Sequence, residues 1–477
     1  MRVAEPTVRR YGMYEDREQS LCGWGRIAPS SARVRHVTHA KDVVEALASA
    51  GPGRAGLIAR GAGRSYGDAA QSADGRVLDM TGMDGIVSLD REQLTVSVQA
   101  GVTIARLLTH LGSISLTLPV VPGTRYVTVG GAIASDVHGK SHHCDGSFAA
   151  HVRSIELCIP GGEVLEISPQ GDRELFEATL GGMGLTGVIV GATLALDSLV
   201  SPWVAADVDR TDDLEQTLAL LSEHDRHRWS VAWLDLLASG SHMGRALVSR
   251  ADPWPGVPKS VYGHGIRARR HSGGFDLSEK PRVEVPPRIP SGALRPSLVR
   301  AFNAARWRRS PRRERGRRVA LGGYLFPLDA LGSWSRLYGP QGLVQYQLVV
   351  PGGQEAQLVR CVELLRARRL PVYLAVLKRF GALSGGPLSF PIEGFTLALD
   401  LPGGAPGLGS ALDELDGIVA GAGGRVYLSK DVRLRKDVLP TMYPQLDRFR
   451  AVRARVDPDG VLRSDLARRL GLCAGEG

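Results

Sequence analysis

The sequence predicts a two-domain protein that mixes short strands with helices, and three observations point to it. The chain runs to 477 residues, more than one hydrophobic core ordinarily serves. Its composition is that of a globular protein, 43% hydrophobic and 23% charged. From about residue 55 to 196 short aliphatic runs alternate with turns and brief helical segments, and the pattern changes near Ser201.

Taken in order, Ala55–Arg60 (AGLIAR) and Leu94–Val98 (LTVSV) read as strands rich in aliphatic residues. Thr103–Gly112 reads as a helix with Thr103 placed to cap it. Arg153–Ile159 and Gly187–Leu196 are further strands, and Asp172–Leu180 is a helix. Beyond Ser201 two strand–helix alternations stand out: Leu343–Val350 with Glu355–Arg369, and Phe395–Leu401 with Leu408–Ala420. The stretch 252–318, rich in Pro, Gly and Arg, has little periodicity and reads as loops, in part disordered. The last fifty residues are helical in pattern.

Composition excludes several classes. No apolar run in the first twenty residues has the form of a signal peptide, and no eighteen-residue apolar stretch predicts a membrane span. The five cysteines (Cys22, Cys144, Cys158, Cys361, Cys473) are odd in number and lack CxxC spacing, which points to a reduced, cytoplasmic setting. The net charge of +10 is concentrated in Arg295–Arg318, where ten arginines face one glutamate. That concentration reads as a local basic loop: a solvated insertion, or a patch for an anionic membrane surface or a phosphorylated substrate. A nucleic-acid binder spreads its basic face over a recognition module, and none is visible.

The sharpest motif is Arg60–Asp68, RGAGRSYGD, directly after a strand. Gly61, Gly63 and Gly67 allow a tight turn whose backbone N–H groups can face a pyrophosphate. The GxGxxxG spacing departs from the GxGxxG of nicotinamide-type domains, so that class is disfavoured. A second motif, Val121–Lys140 (VPGTRYVTVGGAIASDVHGK), is dense in small residues and is strand-flanked. Its HGKS ending lacks the glycine that a phosphate-binding P-loop needs at 134, where the residue is alanine. A third glycine cluster, Gly181–Gly187 (GGMGLTG), sits between a helix and a strand. The run His138, His142, His143, Cys144, His151 matches no zinc-ligand spacing, and no metal is expected.

In this order the three motifs resemble the FAD-binding domain of the vanillyl-alcohol-oxidase superfamily, and most closely the decaprenylphosphoryl-β-D-ribose 2′-oxidase family. The resemblance runs nearly end to end, from GWGRIAPS at Gly23–Ser30 through YGPQGLVQYQLVVP, PLSFPIEGF and GGRVYLSKD to VDPDGVLRSDLARRL. It implies an α+β fold of two domains. Residues 1–200, completed by 425–477, would form the FAD-binding domain, and 201–424 an antiparallel-sheet substrate domain holding the basic loop. It also implies FAD contacts from Arg60, Gly61, Ala62, Gly63, Arg64, Ser65, Tyr66 and Gly67, with Gly123, Thr124, Thr128, Gly130 and Gly131. Ser135, Val137, His138, Ile189 and Tyr427 would line the isoalloxazine, and Gly139 would also contact the cofactor. Relatives that bind flavin covalently carry histidine where this chain has Arg64, so a noncovalent cofactor is implied.

Oxidation of an alcohol by flavin needs hydride removal, a group to take the hydroxyl proton and stabilisation of charge on the reduced ring. The resemblance assigns Lys430 and His138 to the catalytic centre. It assigns Lys378, Gln345, Gln347, Thr396 and Ala398 to the substrate pocket, with Trp233 as an apolar wall. Gln345 and Gln347 alternate on a strand and so share a face. Thr396 and Ala398 replace the asparagine and cysteine frequent in the family, and Leu325 and Phe326 replace its tyrosine–histidine pair, so the substrate can differ. The implied reaction is oxidation of a sugar secondary alcohol, C2′ of a ribofuranosyl lipid phosphate or a related glycoside. It would be the first half of an epimerisation finished by a short-chain reductase, with peripheral membrane contact and no nucleic-acid partner. The competing expectation is a partnerless aldonolactone- or alditol-type oxidase that uses oxygen.

Overall fold

The computed structural model describes residues 16–51, 55–223, 226–238, 240–255, 275, 277, 281–287, 294–382 and 385–472. Its first sheet contains β1 (Arg17–Leu21), β2 (Ser30–His36), β3 (Leu57–Arg60) and β4 (Arg76–Asp79), in the order β1-β2-β4-β3. β1 is antiparallel to β2, while β2 and β3 lie parallel to β4. The second sheet contains β5 (Ile86–Asp90), β6 (Thr95–Gln99), β7 (Val152–Cys158), β8 (Val164–Ile167) and β9 (Val188–Ala195). Its order is β5-β6-β9-β7-β8 and every pairing is antiparallel.

Between these strands the helix Ile104–Gly112 forms as its spacing predicts. Ile104, Leu107, Leu108 and Leu111 recur at i, i+3, i+4 and i+7 and are all buried. The Thr103 hydroxyl oxygen accepts the Arg106 N–H at 3.2 Å, satisfying a donor that the first turn leaves free. A shorter helix, Val129–Ala134, is capped in the same way by Thr128.

The third sheet has eight strands: β10 (Trp203–Thr211), β11 (Trp229–Asp235), β12 (Arg245–Pro253), β13 (Arg313–Ala320), β14 (Leu343–Pro351), β15 (Leu374–Phe380), β16 (Gly394–Pro402) and β17 (Arg425–Val426). They lie in the order β13-β10-β12-β11-β15-β16-β14-β17, antiparallel at each pair. Alternation along β14 divides its side chains between two faces. Tyr346 turns toward the covering helices, where its hydroxyl donates to Asp416 at 2.9 Å on Leu408–Gly421. Gln345 and Gln347 turn the other way, toward the site described below. Mixed strands and helices with largely antiparallel sheets make the fold α+β.

The arginine-rich stretch corrects the expectation of a loop. Pro296–Arg309 is a helix and Arg313–Ala320 is β13, the edge strand beside β10. The strand forms because β10 supplies carboxylates. Arg315 donates to Asp209 at 2.7 Å, and the Gly316 N–H donates to Asp207 at 2.8 Å. An edge strand exposed along most of its length has no apolar alternation for a sequence pattern to detect. The parts of the expected loop at 256–274, 276, 278–280 and 288–293 lie outside the described residues, as does Cys473.

The chain end returns to the first sheet. The Leu57 N–H donates to the Val461 carbonyl at 2.8 Å, and the Arg463 N–H donates to the Leu57 carbonyl at 2.9 Å. Arg469 forms an ion-paired clamp, meeting Asp68 at 2.8 Å and Asp431 at 2.7 Å. The glycine-rich loop is thereby tied to the segment that carries Lys430.

Candidate active site

A cavity of about 500 Å³ opens where the loop after β3, the segment 122–138 and the inner face of the third sheet converge. The loop contributes Gly61, Ala62, Gly63, Arg64, Ser65 and Tyr66. Gly63 has φ +63, a left-handed turn that glycine adopts without strain. A Cβ on Gly61 would fall 2.1 Å from the Thr128 hydroxyl oxygen, so close packing requires glycine there. Among the described residues no hydrogen bond occupies the backbone N–H of Gly63, Arg64 or Ser65. Successive free donors in such a turn make an anion-binding concavity. The N–H groups of Gly130 and Gly131 are already used, by the Ala100 carbonyl and the Thr128 hydroxyl. These two glycines therefore provide room rather than donors.

One end of the cavity gathers the titratable groups. His138 sits among Phe380, Phe390 and Tyr427, with ring centroids 4.8, 5.5 and 5.2 Å away. Burial, with Lys378 nearby, pushes its imidazole well below the usual histidine range, so it is neutral. The Thr396 hydroxyl donates to the Leu348 carbonyl at 2.8 Å and accepts Gln347 Nε2–H at 3.1 Å. The other Gln347 hydrogen meets His138 Nε2 at 2.9 Å. This chain places the imidazole proton on Nδ1, which is buried and has no partner among the described residues. The single lone pair of the ring is thus occupied, and the hydrogen left to His138 is a donor.

Lys430 Nζ lies 3.9 Å from the centroid of the Tyr66 ring. Burial lowers its ammonium to about 7, and Asp400 acts against that lowering. Asp400 is 1% exposed, and its carboxylate accepts Gln345 Nε2–H at 2.5 Å. Gln345 Nε2 also donates to the Tyr66 hydroxyl at 3.1 Å, so one amide joins the carboxylate to the ring beneath Lys430. Burial raises Asp400 to about 6. Lys378, on β15, is lowered by burial to about 8 and has no hydrogen-bond or ion-pair partner among the described residues. The Phe380 ring centroid is 5.9 Å from its Nζ.

The segment that positions His138 is held from both sides. Asp136 adopts a left-handed backbone, φ 39, and its carboxylate accepts the Ala149 N–H at 3.0 Å. The Tyr427 hydroxyl donates to the Ser135 carbonyl at 2.7 Å. Ser429, two residues on, bonds Ser65 at 3.1 Å and Ser135 at 3.3 Å.

Most residues singled out in the sequence line this cavity, among them Gly123, Thr124, Thr128, Val137, Ile189, Gln345, Gln347, Lys378, Ala398, Tyr427 and Lys430. Five do not. Arg60 lies beneath the loop and donates to the Cys22 and Ala70 carbonyls. Gly67 presses on the backbone of Asp431, where a Cβ would lie 1.9 Å from the carbonyl oxygen, and Gly139 presses likewise on Val121. Thr396 stands behind Gln347 and acts through it. Trp233 is covered by the Arg306 guanidinium at 4.6 Å instead of forming a cavity wall. Leu325 and Phe326 are also buried away from the cavity, Phe326 beneath Arg125 at 4.5 Å.

Asp400 escaped the sequence reading. The available signal was parity, since it stands two residues from Ala398 and so shares its face. Lys140 was likewise passed over. It is lowered by burial to about 7, and its Nζ donates to the Tyr324 carbonyl behind the cavity. The clustered histidines disperse into backbone contacts: His142 Nδ1 accepts the Gly381 N–H, while His143 and His151 meet the carbonyls of His227 and Asp145.

The cavity fits an elongated, phosphate-bearing group. It has free backbone donors at the loop, and the buried Arg64 Nε and His138 Nδ1 lack partners among the described residues. A Cβ on Gly123 would meet nothing within 4 Å.

Comparison with known proteins agrees with the geometry. Residues 31–168 match the family model described as FAD binding domain, and residues 409–470 match that of D-arabinono-1,4-lactone oxidase. The chain is 38% identical over 458 residues to decaprenylphosphoryl-β-D-ribose oxidase of Mycolicibacterium smegmatis, covering 95% of this chain and 97% of that one. It is 40% identical over 381 residues to an uncharacterised protein of Streptomyces coelicolor, covering 78% of this chain and 100% of that one. L-gulono-1,4-lactone dehydrogenase of Mycobacterium tuberculosis is 26% identical over 447 residues, covering 93% and 97%.

Proposed function

The chain belongs to the decaprenylphosphoryl-β-D-ribose oxidase family of FAD-linked oxidases, and on that premise we propose that it oxidises the C2′ hydroxyl of a ribofuranosyl unit carried on a lipid phosphate. It is an FAD-dependent oxidoreductase acting on a sugar CH–OH group. FAD, when bound, supplies the acceptor for the hydride that leaves the sugar carbon. In this reading residues 1–200 with 425–477 form the unit that holds it, and 201–424 the unit that holds the sugar.

The loop from Gly61 to Tyr66 would hold the cofactor without a covalent link. Arg64 stands where a tethering histidine would be, and its guanidinium lies over Trp24 at 4.0 Å. Lys430 Nζ takes the hydroxyl proton. Its lowering to about 7 makes a neutral amine available near neutral pH. Asp400, acting across Gln345, keeps Lys430 from falling further. His138 donates from Nδ1 to an oxygen of the ligand, and Gln347 keeps its tautomer in place. Lys378 stays cationic below about 8 and meets the substrate phosphate. The observation that carries this reading is Lys430, Gln345, Tyr66 and an unanswered Lys378 lining one cavity, with Asp400 bonded to Gln345 behind its wall.

The ketone product calls for a short-chain reductase partner to complete an epimerisation, and a lipid-linked substrate calls for peripheral contact with a membrane. The test is an anaerobic absorbance titration with ribofuranosides, a polyprenylphosphoryl ribose among them. Bleaching of the flavin by the lipid-linked sugar is the expected result. A flavin that no ribofuranoside reduces would refute the reading. The match of residues 409–470 to the arabinonolactone oxidase model favours a second reading, an aldonolactone-type oxidase. That reading requires free lactones to reduce the flavin and peroxide to form in air.

A further inference from the structure

The helix Pro296–Arg309 packs sparingly for its length. It buries one residue, Asn303, where the equally long Leu408–Gly421 buries six. Its outward stripe holds Leu298, Phe302 and Arg309, at i, i+4 and i+11. Leu298 is 59% exposed and Phe302 is 61% exposed. The arginines here differ from those of β13. Arg313 and Arg315 face Asp209, and Arg317 faces Glu314. Arg308, Arg309 and Arg312 have no carboxylate partner among the described residues.

This helix lies beside the cavity. Asn303 donates to Asp235 at 3.0 Å, and Arg306 covers Trp233, the register partner of the cavity-lining Val376. Just before the helix, the Leu294 carbonyl accepts the Tyr373 hydroxyl at 3.2 Å, next to the cavity-lining Leu374. Val283 and Leu328, 59% and 38% exposed, belong to the segments that carry the cavity-lining Pro281, Glu284, Leu328 and Leu331. Four of the seven exposed large hydrophobics among the described residues therefore lie on this helix or on the segments that supply residues to the cavity.

We propose that Pro296–Arg309 is the surface by which this protein rests on an anionic lipid bilayer. Leu298 and Phe302 enter the headgroup region, and Arg308, Arg309 and Arg312 meet lipid phosphates. The combination decides the class of partner. Three arginines without a carboxylate partner beside exposed Leu298 and Phe302 complement a layer of lipid phosphates over an acyl boundary. The inference rests on the lipid-linked substrate proposed above, since the surface would present the cavity mouth to a headgroup.

The experiment is partitioning of the FAD-loaded enzyme onto phosphatidylglycerol and phosphatidylcholine vesicles at low and high salt. The expected result is binding to phosphatidylglycerol at least roughly tenfold tighter, fading as salt rises. R308Q/R309Q/R312Q should weaken it by roughly fivefold per arginine. L298S/F302S should weaken it by about tenfold with flavin content unchanged. The exposed Lys436→Gln serves as the control. Equal affinity for both vesicles, or variants that partition like the parent, would overturn the proposal. So would a dimer in sedimentation that L298S/F302S dissolves, because the occupant would then be a second copy. Vesicle binding by an enzyme that no ribofuranoside reduces would refute the substrate reading and still support the surface.

Discussion

Replacing Asp400 by asparagine tests the electrostatics of the cavity most directly. The carboxylate is 1% exposed and bonds Gln345, and the asparagine oxygen can accept the same amide hydrogen. The substitution therefore removes charge while sparing shape. Burial holds Lys430 at about 7, with Asp400 as the opposing influence. Losing a nearby opposite charge lowers a lysine by about 1 to 2 units, each worth about 1.4 kcal/mol. A base must be neutral to take the sugar proton, so flavin reduction climbs as pH rises through the Lys430 ionisation. In D400N that climb should move to lower pH by about 1 to 2 units. The wild type should also lose Asp400's support for the charged lysine below about 6, where the carboxylate becomes protonated, and the variant should lack that second inflection. The assay is anaerobic stopped-flow reduction across pH at saturating substrate, with flavin content checked throughout. A midpoint that stays in place, or moves upward, refutes both the role of Lys430 as base and that of Asp400 in setting it.

Further expectations concern single residues. Lys430→Met should abolish flavin reduction, by at least about a hundredfold, while the flavin spectrum and Tm persist; loss of the flavin itself would show a binding role instead. Gly61→Ala places a methyl 2.1 Å from the Thr128 hydroxyl and should yield protein depleted of flavin, read from the absorbance ratio of the purified enzyme. Arg469→Ala leaves Asp68 and Asp431 without their shared cation and should cost about 2 to 4 kcal/mol in urea unfolding. Ala398→Cys puts a thiol on the cavity wall and should make the enzyme sensitive to alkylation, with substrate protecting it, whereas the parent retains activity under the same treatment.

The sequence by itself determined the glycine-rich loop after a strand, the second small-residue segment and the basic concentration at 295–318. Those features are local, because backbone freedom and charge belong to residue identity and spacing. The shared face of Gln345 and Gln347 was legible for the same reason, since strand alternation needs only counting. Lys430 and Lys378 entered through resemblance, and chemistry alone does not single them out from surface lysines. Only the tertiary structure decided the rest. Asp400 matters because Gln345 bridges it to Tyr66, a residue 279 positions away from that glutamine. His138 became a donor through a chain that begins at the Leu348 carbonyl and passes through Thr396 and Gln347. The arginine stretch became a helix and an edge strand because Asp207 and Asp209 stand on the neighbouring strand. Trp233 left the cavity wall because a helix laid Arg306 across it. Burial, proton location and pKa depend on what the fold brings close, and long-range proximity is written in no window of sequence.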